Sequence, residues 1–141
     1  MTLGGLFWMA HVVALAGWIA LLAAPAAPGR SIAAARIAGA ILAIGYAALF
    51  VVSIRSAGLL VGDYSLTGIA AFFADSRLLL VGWVHYLAFD LWVGAWEAEE
   101  AARTRMPHGL LVPCLLLTFM LGPIGLLLFL ALRARRNSIA S

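Results

Sequence analysis

The stretch WVHYLAFDLWVGAWEAEEA, residues 83–101, sets His85, Asp90 and Glu97 into a run that is otherwise apolar and aromatic. Extended to RLLLVGWVHYLAFDLWVGAWEA, about 77–98, the run reaches the roughly 20 residues needed to cross a bilayer's hydrocarbon layer. Only helices and closed barrels satisfy their backbone there, and the run is too long and too continuously apolar for a barrel strand. A membrane helix carrying buried ionisable groups is therefore expected.

Three more stretches of similar length flank it: about 3–24, 33–53 and 109–132. Together they predict an all-α, polytopic membrane protein. The expected architecture is a four-helix transmembrane bundle forming one integral domain over 1–141. Between the second and third helices, 55–76 is mixed in character. Ser65 is placed to cap a short amphipathic interfacial helix reaching Phe73, and Asp75 or Ser76 to cap the third long helix. Pro25, Pro28 and Gly29 break the chain after the first helix, and Pro107 ends the third. The first stretch has small residues at Ala23–Ala27 that loosely suit a signal cleavage site. It lacks a basic start and its apolar run is too long, so a retained helix is expected.

Composition agrees. The 141 residues are 65% hydrophobic and 11% charged, with mean hydropathy +1.08. A soluble domain is about a quarter charged. The net charge of +3 does not mark a nucleic-acid binder, because the nine basic residues are arginines scattered at segment ends, where they orient membrane helices. If both termini are cytoplasmic, Arg55, Arg77, Arg133, Arg135 and Arg136 lie inside and Arg30, Arg36, Arg103 and Arg105 outside. The C-terminal cluster tips that count toward both ends in. The lone Cys114 closes no intrachain disulfide.

An acid at mid-span costs about 2.5–3.5 kcal/mol on insertion scales, so Asp90 needs a partner or a wet cavity. At about 100° per residue, Trp83, Tyr86, Asp90, Gly94, Glu97 and Ala101 share one stripe. His85 projects about 140° away from Asp90, with Phe89, Trp92 and Trp96. A direct His85–Asp90 bond along the helix is not expected, whereas Tyr86 and Asp90 can pair. The competing reading is that these groups are packing glue between helices. Glu97 could reach water near the helix end, Glu99 and Glu100 read as a solvated end, His108 as interfacial and His11 as a satisfied core histidine. No spacing supports a metal site, and no nucleophile elbow, phosphate loop or dinucleotide fingerprint occurs. Trp83 and Trp96 suit interface anchors, while the deeper Trp92 could wall a slot for a flat apolar ligand. Pro123 should kink the last helix, with Gly122 and Gly125 leaving room for close approach.

The pattern Trp83-x-His85 with Asp90-Leu91 five residues on, followed by Gly122-Pro123-x-Gly125, resembles the abscisic acid-deficient-four-like membrane proteins. The likeness is best in the C-terminal half; the N-terminal half adds only apolar character and a Trp18…Pro25 pair. Plant members are associated with neoxanthin synthesis. The resemblance implies a carotenoid-linked enzyme that opens an epoxide by acid/base isomerisation, with no cofactor. Such chemistry needs one proton delivered to oxygen and one removed from carbon. His85, Asp90 and Glu97 are the catalytic candidates; Tyr86, Trp83, Trp92 and Pro123 are the substrate-binding ones. The compact chain reads as bacterial, in the inner (cell) membrane, where another carotenoid or a long isoprenoid would replace the plant substrate. Two alternatives stand beside the enzyme. One is a lipid-binding accessory protein for partner carotenoid enzymes. The other is a small transporter or structural membrane protein with Asp90 in a proton path.

Overall fold

The computed structural model describes residues 2–23, 28–57 and 65–140. Among them are six helices and no strand: α1 (Leu3–Leu22), α2 (Pro28–Ala57), α3 (Leu66–Ala74), α4 (Ser76–Arg103), α5 (His108–Leu121) and α6 (Pro123–Ala140). The expected break at Pro25 lies outside the described residues. Pro28 does not interrupt the chain but opens α2 as its first residue, where the missing N–H costs nothing.

Helices α1, α2 and α4 are long and apolar enough to cross a membrane. The cap expectations hold locally. Ser65 Oγ accepts from the Gly68 amide at 3.1 Å to start α3, and Asp75 Oδ1 accepts from the Arg77 amide at 2.7 Å to start α4. Helix α3 has no buried residue, and its Phe73 ring lies against Gly82 of α4.

Helix α4 is central and packs against every other helix. Its small residues make this possible. The Trp18 ring of α1 sits over Gly94, and Leu91 of α4 fills the space at Gly17. Trp92 lies on Gly39 of α2 in the same way. Leu91, Ala95, Cys114, Leu115 and Phe129 form the sealed centre.

The fourth apolar stretch is two helices rather than one. Gly122 adopts φ +47°, and the chain reverses there. The expected kink becomes a full break for two reasons. Pro123 cannot donate to the preceding turn, and Gly122 takes a backbone conformation that other residues avoid. A Cβ on Gly125 would stand 2.1 Å from the Thr118 amide nitrogen, so α5 and α6 touch backbone to backbone just past the turn. At the other end Arg136 donates to the Arg105 carbonyl at 3.3 Å, and Arg133 pairs with Glu100 at 2.9 Å. The end of α6 thus lies beside the start of α5, and the pair is a helical hairpin.

The hairpin stands on the face where α1 ends and α2 begins. His108 Nε2 meets the Leu22 carbonyl at 3.0 Å, and Arg36 pairs with Glu99. The starts of α1 and α4 share the opposite face. The first and last helices therefore have their outer ends on opposite faces, unlike the expectation of both termini on one side.

Candidate functional site

The hairpin tip meets α4 at Asp90. Asp90 lies near the middle of α4, so it is well below the hairpin face. At the helical rise per residue, α5 carries the chain about 21 Å inward from that face to Gly122. The two depths are comparable. Asp90 Oδ1 sits 3.0 Å from where a Gly122 Cβ would stand, so a side chain there would crowd the carboxylate against the turn. The residue is half-buried, and its Oδ2 is enclosed with no hydrogen-bond partner among the described residues. Irregular backbone at membrane depth is tolerated where it is packed in protein or lines a cavity, and here it faces an acid.

Tyr86, one turn before Asp90, lies within interaction range of that carboxylate. Its hydroxyl is 3.5 Å from the Phe119 carbonyl of α5 and can turn between the two acceptors. One rung nearer the hairpin face, Glu97 is 0% exposed, and the Thr118 hydroxyl donates to its carboxyl at 3.0 Å. Glu97 does not reach water at the helix end. Sequence reasoning misses Thr118, because a lone threonine in a leucine-rich helix carries no spacing signal.

The other candidates are placed apart. His85 is exposed on the far side of α4, its ring 5.4 Å from that of Tyr46 and 4.5 Å from that of Phe89. It is not brought beside Asp90. Trp83 donates from Nε1 to His11 Nε2 at 3.1 Å, while His11 Nδ1 meets the Phe7 carbonyl at 2.8 Å. That pattern puts the His11 proton on Nδ1 and ties α1 to α4. Pro123 is exposed at the hairpin tip. Glu100 is not solvated. It is 8% exposed and holds both Arg103 and Arg133, which closes the space between α4 and α6 at the hairpin face.

Two apolar grooves lie along α4, and Asp90 lines neither. One, of about 400 Å³, runs between α4 and α6 along Phe89, Trp92, Val93, Trp96, Leu126 and Leu130. The Leu126 amide bonds the Gly122 carbonyl, so this groove begins one turn from the tip. The other, of about 480 Å³, lies between the first turns of α1 and α4 and has Trp83 in its wall. The Trp83 and Tyr86 rings are 5.4 Å apart and carry that wall toward Asp90. No group of three or more His, Cys, Asp or Glu side chains that could hold a metal occurs among the described residues.

No curated protein and no solved structure matches the chain. A family model described as ABA DEFICIENT 4-like does match, over residues 5–129. That range takes in nearly all of α1, the whole of α2 to α5, and the hairpin tip with Asp90 beside it, and the chain belongs to this ABA4-like family.

Proposed function

We propose that this chain is an integral membrane enzyme that isomerises a lipid-soluble polyene or related isoprenoid by acid/base chemistry at Asp90. The reading rests on one observation above all. A mid-helix carboxylate with an unpartnered oxygen faces a glycine turn, and two apolar grooves lie along the same helix. A polyene enters from lipid along such a groove, and its polar end group meets Asp90. Asp90 gives a proton to the substrate oxygen. The carboxylate left on Asp90 is the base for the carbon-bound proton that leaves, with Tyr86 one turn away to hydrogen-bond it. His85, on the lipid side with Tyr46, is left out of this pair. Trp92 and Trp83 wall the grooves, and Pro123 shapes the turn. No step calls for a cofactor.

The test is turnover of candidate carotenoids by purified, reconstituted protein, followed by chromatography. Asp90→Asn should lose about 100-fold or more in rate at unchanged protein level. Full turnover by that variant would remove Asp90 from the chemistry.

A second reading is favoured by the walls of the α4–α6 groove, which present aromatic and aliphatic surface alone. Here the chain holds the polyene for a partner carotenoid enzyme. In that case wild-type protein carries a polyene through purification but leaves it unconverted.

The membrane reading also takes an orientation. Three crossings with a hairpin entering from one face put Arg30, Arg36, Arg103, Arg105, Arg133, Arg135 and Arg136 on the hairpin face, and Arg55 and Arg77 on the other. Seven against two favours a cytoplasmic hairpin face and C-terminus with the N-terminus outside, in a bacterial inner membrane. Both termini inside would be the outcome of four crossings.

A further inference from the structure

Glu97 is the most enclosed carboxyl group among the described residues, and the acid/base scheme alone does not require it. Its surroundings on each packed element can be named. On α4 itself lie Asp90, seven residues before, and Glu100, three after. On α5 lie the Thr118 hydroxyl and the Cys114 thiol, which is committed to the Leu110 carbonyl at 3.3 Å. Toward α6, Arg133 is held by Glu100 together with Arg103. Toward α1, Trp18 and Leu21 cover Gly94. No cation touches Glu97 among the described residues. A carboxylate sealed from water with one hydroxyl for company is costly to keep as an ion. As mere glue between α4 and α5, a glutamine would serve at lower cost.

The position explains the carboxyl. Glu97 with Thr118 forms one rung between α4 and α5, and Asp90 with Gly122 forms the next. The Gly122 amide bonds the Thr118 carbonyl at 2.9 Å, so the last turn of α5 links the two rungs. Asp90 and Glu97 are about 10.5 Å apart along the α4 axis, so proton exchange between them needs bridging waters. On the other side, Glu100 with its two arginines stands between Glu97 and the aqueous hairpin face.

We propose that Glu97 is a proton-relay residue, exchanging its proton with Asp90 on one side and with water at the Arg103–Glu100–Arg133 cluster on the other. This rests on the acid/base reading of Asp90. In each cycle the Asp90 O–H bond breaks as the substrate O–H forms. Within the same turnover the substrate C–H bond breaks as its proton passes to the Asp90 carboxylate, so the isomerisation itself is proton-neutral. The relay restores the Asp90 proton whenever that return fails: Asp90 is then reprotonated from Glu97, and Glu97 from water at the hairpin face.

The experiment is infrared spectroscopy of the reconstituted full chain in H2O and D2O, with the glutamates labelled with 13C. Of the three glutamates, Glu99 and Glu100 are paired with arginine, which leaves Glu97 as the source of a labelled carboxylic-acid band. The expected result is one such band that shifts in D2O and is absent from Glu97→Gln. A missing band, or one that never exchanges, overturns the relay. This arm needs no substrate, and its wild-type part needs no variant to fold. Where turnover is measured, Glu97→Gln should lose less than the roughly 100-fold expected at Asp90 and show a larger solvent deuterium isotope effect than wild type. An unchanged rate and isotope effect also overturns the relay. Full turnover by Asp90→Asn instead overturns the acid reading, while the infrared result still reports on Glu97.

Discussion

At the scale of single residues, the polar groups of α4 divide by which way they project. Asp90 and Glu97, seven residues apart, face the hairpin; His85 faces outward toward Tyr46. Helical arithmetic on the sequence is enough to separate His85 from Asp90. It does not say which neighbour each meets, since that depends on where α5 turns back. Glu97 shows this most clearly. Its place near the helix end suggests water, but the hairpin covers it and Thr118 bonds it. The bond from Trp83 to His11 is a structural tie between α1 and α4, with both ring nitrogens of His11 engaged. Trp83→Phe should cost about 0.5–1 kcal/mol, read as a lower midpoint in a detergent-denaturation titration. No change at all would mean the bond is not formed in the folded protein.

At the scale of elements, the hairpin depends on glycine at two places for different reasons. Gly122 is needed for its positive φ and for the approach of Asp90. Gly125 is needed for space, because a Cβ there meets the backbone of Thr118, which cannot rotate aside. Gly125→Ala should therefore cost at the upper end of the roughly 1–3 kcal/mol seen for overpacking, or splay α6 from α5. Gly109→Ala, where nothing lies within 4 Å of the added Cβ, is the matched control and should be neutral or slightly stabilising. Thermal unfolding of the two variants side by side checks this; equal stability would mean the helices do not touch at Gly125. The turn from α4 into α5 is a Schellman motif built without glycine. The Met106 amide bonds the Ala101 carbonyl at 2.8 Å, and the Arg105 amide bonds the Ala102 carbonyl at 3.3 Å. Arg105 itself has φ +52°. The caps of α3 and α4 were legible because a side chain and an amide two or three residues on are local partners. The hairpin was not, because a Gly-Pro pair in an apolar run fits a kink as well as a reversal.

At the scale of the whole molecule, that reversal changes the topology and with it the charge balance across the membrane. Reporter fusions read on either side of the membrane should place the C-terminus in the cytoplasm and the N-terminus outside. Reversing Arg133, Arg135 and Arg136 to glutamate should weaken or scramble that orientation. Finding both ends on one side would mean the last two helices cross as one.

Local patterns determined that this chain is helical, that its long apolar runs suit a membrane, and that an acid sits in the middle of one of them. Hydrophobicity and helical period are properties of consecutive residues, so one dimension is enough to read them. What faces that acid is set by contacts between segments distant in the chain. The direction of α6 follows from Arg133 on Glu100, Arg136 on Arg105 and Gly125 on Thr118. Those contacts are between segments, and their energies do not exist until the chain has folded back on itself.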